Sequence, residues 1–207
     1  FGLPGWLIIC TLPLAMVAGF MDPAERIVTA SYTSPVNSQA LASGQKLRMY
    51  GFPHRVFAYG VHLVRLEADT RTGEVRVCGG LACIDGGTVL NPQVYEQQVQ
   101  GGLAQGIGYA LFEEFGVAQG RIATADFSTY ILPTAADLPD FVVLPVSPYE
   151  PDGPFGMKGI GEISIDAVLP AAANAVAVAA GSRIAASPFT AEKVLAALQS
   201  SGQEGQP

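Results

Sequence analysis

The feature that most constrains this chain is a helical run that carries four glycines. Val99, Leu103, Ile107, Ala110 and Leu111 recur at helical spacing between Val94 and Glu114, which predicts an α-helix with one apolar face. Gly101, Gly102, Gly106 and Gly108 lie inside it. Each interior glycine costs roughly 1 kcal/mol against alanine, so the four together cost on the order of 4 kcal/mol. Only close backbone contact readily explains tolerating that. The sequence leaves open whether the contact is another helix or a ligand. Gln98 and Gln105 share a polar stripe with the intervening glycines, because positions seven apart nearly eclipse on a helix.

The flanking segments predict strands. Val61 to Ala68 and Glu74 to Ala82 alternate as strands do, and Asp69-Thr70-Arg71-Thr72-Gly73 between them suits a hairpin turn. Ile84-Asp85-Gly86-Gly87 then breaks the second strand. Further strands are expected near Ala125 to Leu132 and Phe141 to Val146. A helix is expected from about Pro170 to Ala180, with Pro170 in its first turn and Gly181 as its stop. A last helix starts at Phe189-Thr190-Ala191-Glu192, where Thr190 can cap and Glu192 suits the N-terminal dipole. The expected class is α+β, with mixed sheets and packed helices. Residues 1–50 read as an apolar segment and connector, 51–198 as the domain proper, and 199–207 as a disordered tail.

Composition narrows the function classes. With 49% hydrophobic and only 14% charged residues, much of the surface is expected to meet other protein. The net charge of −7 and the lack of a basic run argue against nucleic acid. The three cysteines, Cys10, Cys78 and Cys83, lack paired spacing and fit a reducing, cytoplasmic compartment. With His54 and His62 they match no zinc-ligand pattern, so plain core cysteines are expected. Both histidines read as surface or core residues. Phe1 to Phe20 carries no charge and has the length of a membrane span, but Pro4 and Pro13 interrupt it and no basic region precedes it. A segment buried in a larger assembly is expected, with an anchor as the alternative. Phe1 as first residue suggests a processed chain or a fragment.

Common catalytic motifs fail. Gly153-Pro154-Phe155-Gly156-Met157-Lys158 has the wrong spacing for a phosphate loop, and Gly106-Ile107-Gly108 lacks the third glycine of a dinucleotide fingerprint. No nucleophile-elbow serine is present. What remains is the run from Gly153 to Glu162, ending Gly159-Ile160-Gly161-Glu162. Its glycines let backbone approach a bulky ligand, and Glu162 stands just before a helical region. Glu162 is either a general base or a helix-start carboxylate stabilised by the dipole.

The order of several short blocks separates these readings. Asp85-Gly86-Gly87 with Leu90-Asn91-Pro92, Gln98-Val99-Gln100-Gly101-Gly102, Gln105 to Leu111 and Thr129 to Pro133 come first. The GMKGIGE loop, Asn174-Ala175-Val176, Gly181-Ser182-Arg183 and Pro188-Phe189-Thr190 come after them. In this order the blocks resemble the molybdenum hydroxylase family, that of xanthine dehydrogenase and aldehyde oxidase. The likeness covers roughly residues 50–198 and corresponds to the C-terminal part of the molybdopterin-binding subunit.

The resemblance implies a molybdopterin cofactor, in its simple or cytosine dinucleotide form. It implies Glu162 as the active-site base and Gln98 as a contact to the pterin. Molybdenum in that family is held by the pterin dithiolene, so no side-chain metal ligand is implied. The implied reaction is hydroxylation of an N-heteroaromatic (purine-like) or aldehyde substrate with water-derived oxygen. The 2Fe-2S and FAD groups are then expected on partner chains or domains, and the upstream half of the subunit elsewhere. The alternative is a non-catalytic fragment or an assembly module that docks on redox partner subunits. Gln105, Lys158 and Arg183 receive no role from the resemblance.

Overall fold

The computed structural model describes residues 56–204. The expectations for residues 1–50, Cys10 and His54 lie outside them. The chain divides into two compact units, Phe1–Phe57 with Pro151–Pro154, and Ala58–Glu150 with Phe155–Pro207. The sheet and the helices belong to the second.

The centre of this unit is a three-stranded mixed sheet in the order β1 (Gly60–Ala68), β2 (Val75–Asp85), β5 (Phe141–Val146). β1 and β2 form the expected antiparallel hairpin, and β5 adds parallel to β2. The hairpin turn is closed locally. Asp69 Oδ1 accepts from the Arg71 and Thr72 amides, and the Gly73 amide donates to the Asp69 carbonyl at 2.7 Å. The register slips between Arg65 and Leu66, which pair with Gly79 and Val77, so Cys78 is an extra residue in β2. This bulge reverses the inward phase of the strand. Val77 points inward before it, and Ala82 and Ile84 do so after it. β2 runs on to Asp85 instead of breaking at Ile84, its last residues pairing with β5.

One sheet face is covered by helices. α1 (Pro92–Leu111) starts at Asn91, whose side chain accepts from the Val94 amide at 3.1 Å, with Pro92 in the first turn. Val99, Leu103 and Ile107 form its buried face with Ile84 and Val168, as the periodicity predicts. The chain then passes through a small hairpin, β3 (Val117–Ala118) and β4 (Arg121–Ile122). Ala125 to Leu132 does not form the expected strand. Asp126 Oδ1 accepts from the Ser128 amide and hydroxyl, and these local bonds hold a turn in place of a ladder.

Two further helices, α2 (Ile163–Asp166) and α3 (Val168–Ala180), are separated by a single residue. Gly181, at φ 74°, ends α3 in the left-handed conformation expected there. Ile163–Ala180 is long and apolar enough to cross a membrane, with mean hydropathy 1.7. Yet Val168, Ala172, Val176 and Ala180 are buried at four-residue spacing, the pattern of a helix packed on one side. α4 (Ala191–Glu204) packs Val194 against Phe189 and Val176. It continues as helix beyond Ser200, where the sequence suggests a disordered tail.

The other sheet face stays open among the described residues. Val61 and Leu63 on β1 and Val142 and Leu144 on β5 are each at least 46% exposed.

Candidate active site

The glycine-rich helix meets another helix. A Cβ on Gly102 would lie 2.5 Å from Ser164 Cβ, and one on Gly106 would lie 2.7 Å from Val168 Cγ1. Gly102 and Gly106 are four apart, as are Ser164 and Val168, so one ridge seats in the other helix's groove. Gly108 is closed in by Glu113 and Pro133. Gly101 alone faces open space, with nothing within 4 Å of the position its Cβ would take.

This packing sets the start of α2 against α1, and Glu162 stands at that start. It is the residue before the single turn Ile163–Asp166, and its side chain caps nothing. Its carbonyl accepts from the amides of Ile165 at 2.9 Å and Asp166 at 3.3 Å. The Glu162 side chain is exposed. Gln98, one helical turn before Gly102, reaches the same place. Its Nε2 donates to the Gly161 carbonyl at 3.2 Å. Ser164 Oγ donates to that carbonyl too, at 3.0 Å. The two residues singled out by sequence are thus joined through one peptide group. Gln105 is not part of this arrangement: its Nε2 donates to the Tyr109 hydroxyl at 3.0 Å. Arg183 is bonded to Asn174 at 3.0 Å.

The glycine loop is pinned at its other end by a group that sequence reasoning left without a role. Lys158 Nζ donates to Asp85 Oδ2 at 2.6 Å and lies 3.7 Å from Glu150 Oε2, with both carboxylate-bearing side chains and the ammonium largely buried. The hydrogen bond to Asp85 holds the Lys158 ammonium above its ordinary range. Asp85 Oδ1 meanwhile accepts from the Gly87 amide at 3.0 Å. Backbone bonds complete the junction: the Lys158 amide donates to Gly86 O at 2.9 Å, and the Thr88 amide to Gly156 O at 2.7 Å. Gly87, at φ 63°, takes a conformation that side chains resist while bridging Met157. Two sequence blocks about seventy residues apart are therefore one structural unit. Tyr95 supports it from below. Its hydroxyl donates to Ile84 O at 2.6 Å, and burial, with lesser contributions from Cys83 and Asp85, pushes it up to about 12.

The open surface around Glu162 suits a large group bound by backbone approach. Gly101, Gly159 and Gly161 all have empty space where a Cβ would sit. Gln98 is exposed, and only its Nε2 is engaged among the described residues. Those residues contain no group of three or more His, Cys, Asp or Glu placed to hold a metal ion. Gln98, the backbone at Gly101, Gly159 and Gly161, and Glu162 thus form an open polar surface that a bulky group can approach closely.

Fold and site thus define an α+β domain with an exposed carboxylate on a pinned glycine loop. A family model described as the molybdopterin cofactor-binding domain matches residues 14–139. The match begins inside the segment, 1–50, that the sequence motifs do not reach. The chain belongs to this family, that of the molybdenum hydroxylases. It is 33% identical to a probable xanthine dehydrogenase subunit of Bacillus subtilis, over 91% of this chain and 24% of that protein. Its fold is similar to that of quinoline 2-oxidoreductase from Pseudomonas putida 86, with TM-score 0.65 and 33% identity, over 69% of this chain and 19% of that one. Aldehyde oxidoreductase from Desulfovibrio gigas is comparably similar, with TM-score 0.63 and 35% identity, over 69% and 15%. The chain spans less than a quarter of the length of these relatives.

Proposed function

We propose that this chain supplies the base and one edge of the cofactor cradle of a molybdenum hydroxylase. Glu162 is the base, and Gln98 contacts the pterin of the molybdopterin or of its cytosine dinucleotide form. When bound, the cofactor supplies the two-electron oxidant and the point at which water is activated. Glu162 then takes the proton of that water, which needs a carboxylate within hydrogen-bond reach and free of other partners. The observation that carries this reading is the joint held at Gly161. Gln98 binds the peptide that leads into Glu162, so a group resting against Gln98 lies beside an exposed carboxylate with no capping duty. Lys158 and Asp85 keep the loop from folding away.

The substrate class is an electron-poor carbon of an N-heteroaromatic ring or an aldehyde. The relatives' names support that range, since they are called after xanthine, quinoline and aldehyde. The rest of the cradle, the 2Fe-2S centres and the FAD belong to the upstream half of the subunit and to partner subunits. The Bacillus subtilis relative is itself named as a subunit, which supports an assembly of that kind. The unpaired thiols of Cys78 and Cys83 fit a reducing cytoplasm.

The test is Glu162→Gln in the assembled enzyme. Turnover should fall at least roughly 100-fold while molybdenum content stays near normal. A variant that keeps more than about a tenth of wild-type turnover has another base.

A further inference from the structure

The inward stripe of β1 reads His62, Val64, Leu66, Ala68, and His62 is its one polar member. The residue is only 7% exposed. An apolar side chain at that position would pack without the desolvation that an imidazole suffers. Among the described residues His62 makes one polar contact: its Nε2 lies 3.1 Å from the carbonyl oxygen of Ser164. A carbonyl only accepts, so Nε2 carries the proton. Nδ1 is buried without a partner among the described residues, which suits a bare lone pair better than an N–H.

Ser164 is the second residue after Glu162 and lies in the same helical turn. That turn is four residues long and has no side-chain cap. A lone turn does not hold itself, because nucleating a helix fixes several dihedrals for one hydrogen bond. Here it is held from two sides. From α1, Gln98 Nε2 grips the Gly161 carbonyl. From β1, His62 grips the Ser164 carbonyl. Ser164 Oγ ties the two together by donating to Gly161 O. The carbonyls just before and just after Glu162 and Ile163 are thus fixed to two different elements of the sheet-and-helix core.

We propose that His62 is a positioning residue for Glu162, which it aims by donating from Nε2–H to the Ser164 carbonyl. The proposal rests on the reading of Glu162 as the base. Its experiment includes a measurement that does not depend on that reading.

The experiment compares His62→Gln and His62→Met in the assembled enzyme. The two side chains are close in size, but only Gln keeps an N–H at the reach of Nε2. Each variant is measured for molybdenum content, kcat, KM and amide hydrogen exchange over residues 161–166. His62→Met should keep its molybdenum and its KM. Its kcat should fall roughly 10-fold to 100-fold, the scale of a misplaced catalytic group. The Ile165 and Asp166 amides, which donate to the Glu162 carbonyl, should exchange faster. His62→Gln should restore both kcat and slow exchange. Equal loss in the two variants, or unchanged exchange in His62→Met, overturns the proposal. If His62→Met does not assemble, exchange in the wild-type enzyme decides. Ile165 and Asp166 amides as labile as that of exposed Gly159 overturn the proposal, and protected ones support it. If Glu162→Gln stays active but exchange responds as stated, the base assignment fails while the clamp on the turn stands.

Discussion

Gln98 Nε2 donates to the carbonyl of Gly161 at 3.2 Å, so the glycine-rich helix α1 holds the peptide leading into Glu162, and the proposed function sets the same side chain against the pterin. One side chain therefore serves two ends. Gln98→Ala should lower molybdenum occupancy, because an amide that can meet the pterin is gone. Turnover per bound molybdenum should fall as well, because the Gly161 carbonyl loses a donor worth about 1 kcal/mol. Metal analysis paired with kcat separates the two losses. Full turnover per molybdenum would mean that Ser164 Oγ suffices to hold the loop.

The glycines of α1 should divide sharply on substitution. Gly106→Ala places a methyl 2.7 Å from Val168 Cγ1 and should destabilise the fold by about 1–3 kcal/mol. Gly101→Ala meets nothing within 4 Å and should stabilise the helix by up to about 1 kcal/mol. The same Gly101→Ala enzyme should retain less molybdenum, since the methyl enters the surface offered to the cofactor. Thermal unfolding and metal content together give the check: a more stable variant with full molybdenum would move the cofactor away from Gly101.

The Lys158–Asp85 pair should be costly to break and cheaper to replace. The two side chains are 8% and 10% exposed. Lys158→Met takes the cation from two largely buried carboxylates, Asp85 and Glu150, and should cost about 3–5 kcal/mol. The double variant Asp85→Leu with Lys158→Met should recover part of that stability. It should not recover activity, because the loop then loses its pin to the end of β2. Denaturant midpoints and kcat measured on the three variants test both halves.

His62 should make stability depend on mild acid. Burial lowers its affinity for protons below the ordinary value of 6.5, against opposing effects of the Ser164 carbonyl and the Asp166 carboxylate. Between the lowered value and 6.5 the unfolded chain binds more protons than the folded one. Stability therefore rises with pH across that window and is lost as pH falls below 6.5. Urea midpoints of wild type should drop from about pH 7 to about pH 5 more steeply than those of His62→Met. Parallel curves would show that His62 titrates alike in both states.

By itself the sequence determined the elements whose signal is local. The apolar period of α1, the alternation of β1, the Asp69 turn, β5 and the Gly181 stop are each written within a few neighbouring residues, and the structure contains them. The order of short blocks sufficed to point at the family, which the family model and the relatives show. Where local side-chain bonds compete, the sequence reading misled: Asp126 turns the chain at a stretch where a strand is expected. Tertiary structure alone decided what the glycines of α1 meet, because close packing depends on the partner's shape and leaves no mark in α1 itself. The same holds for the polar contacts of the site. Gln98 and Gly161 are 63 residues apart, Asp85 and Lys158 are 73 apart, and His62 and Ser164 are 102 apart. A histidine, a lysine or a serine reads alike in sequence whether it faces water or a buried carbonyl. Only the packed sheet and helices bring the donor to its acceptor and exclude the water that would otherwise take its place.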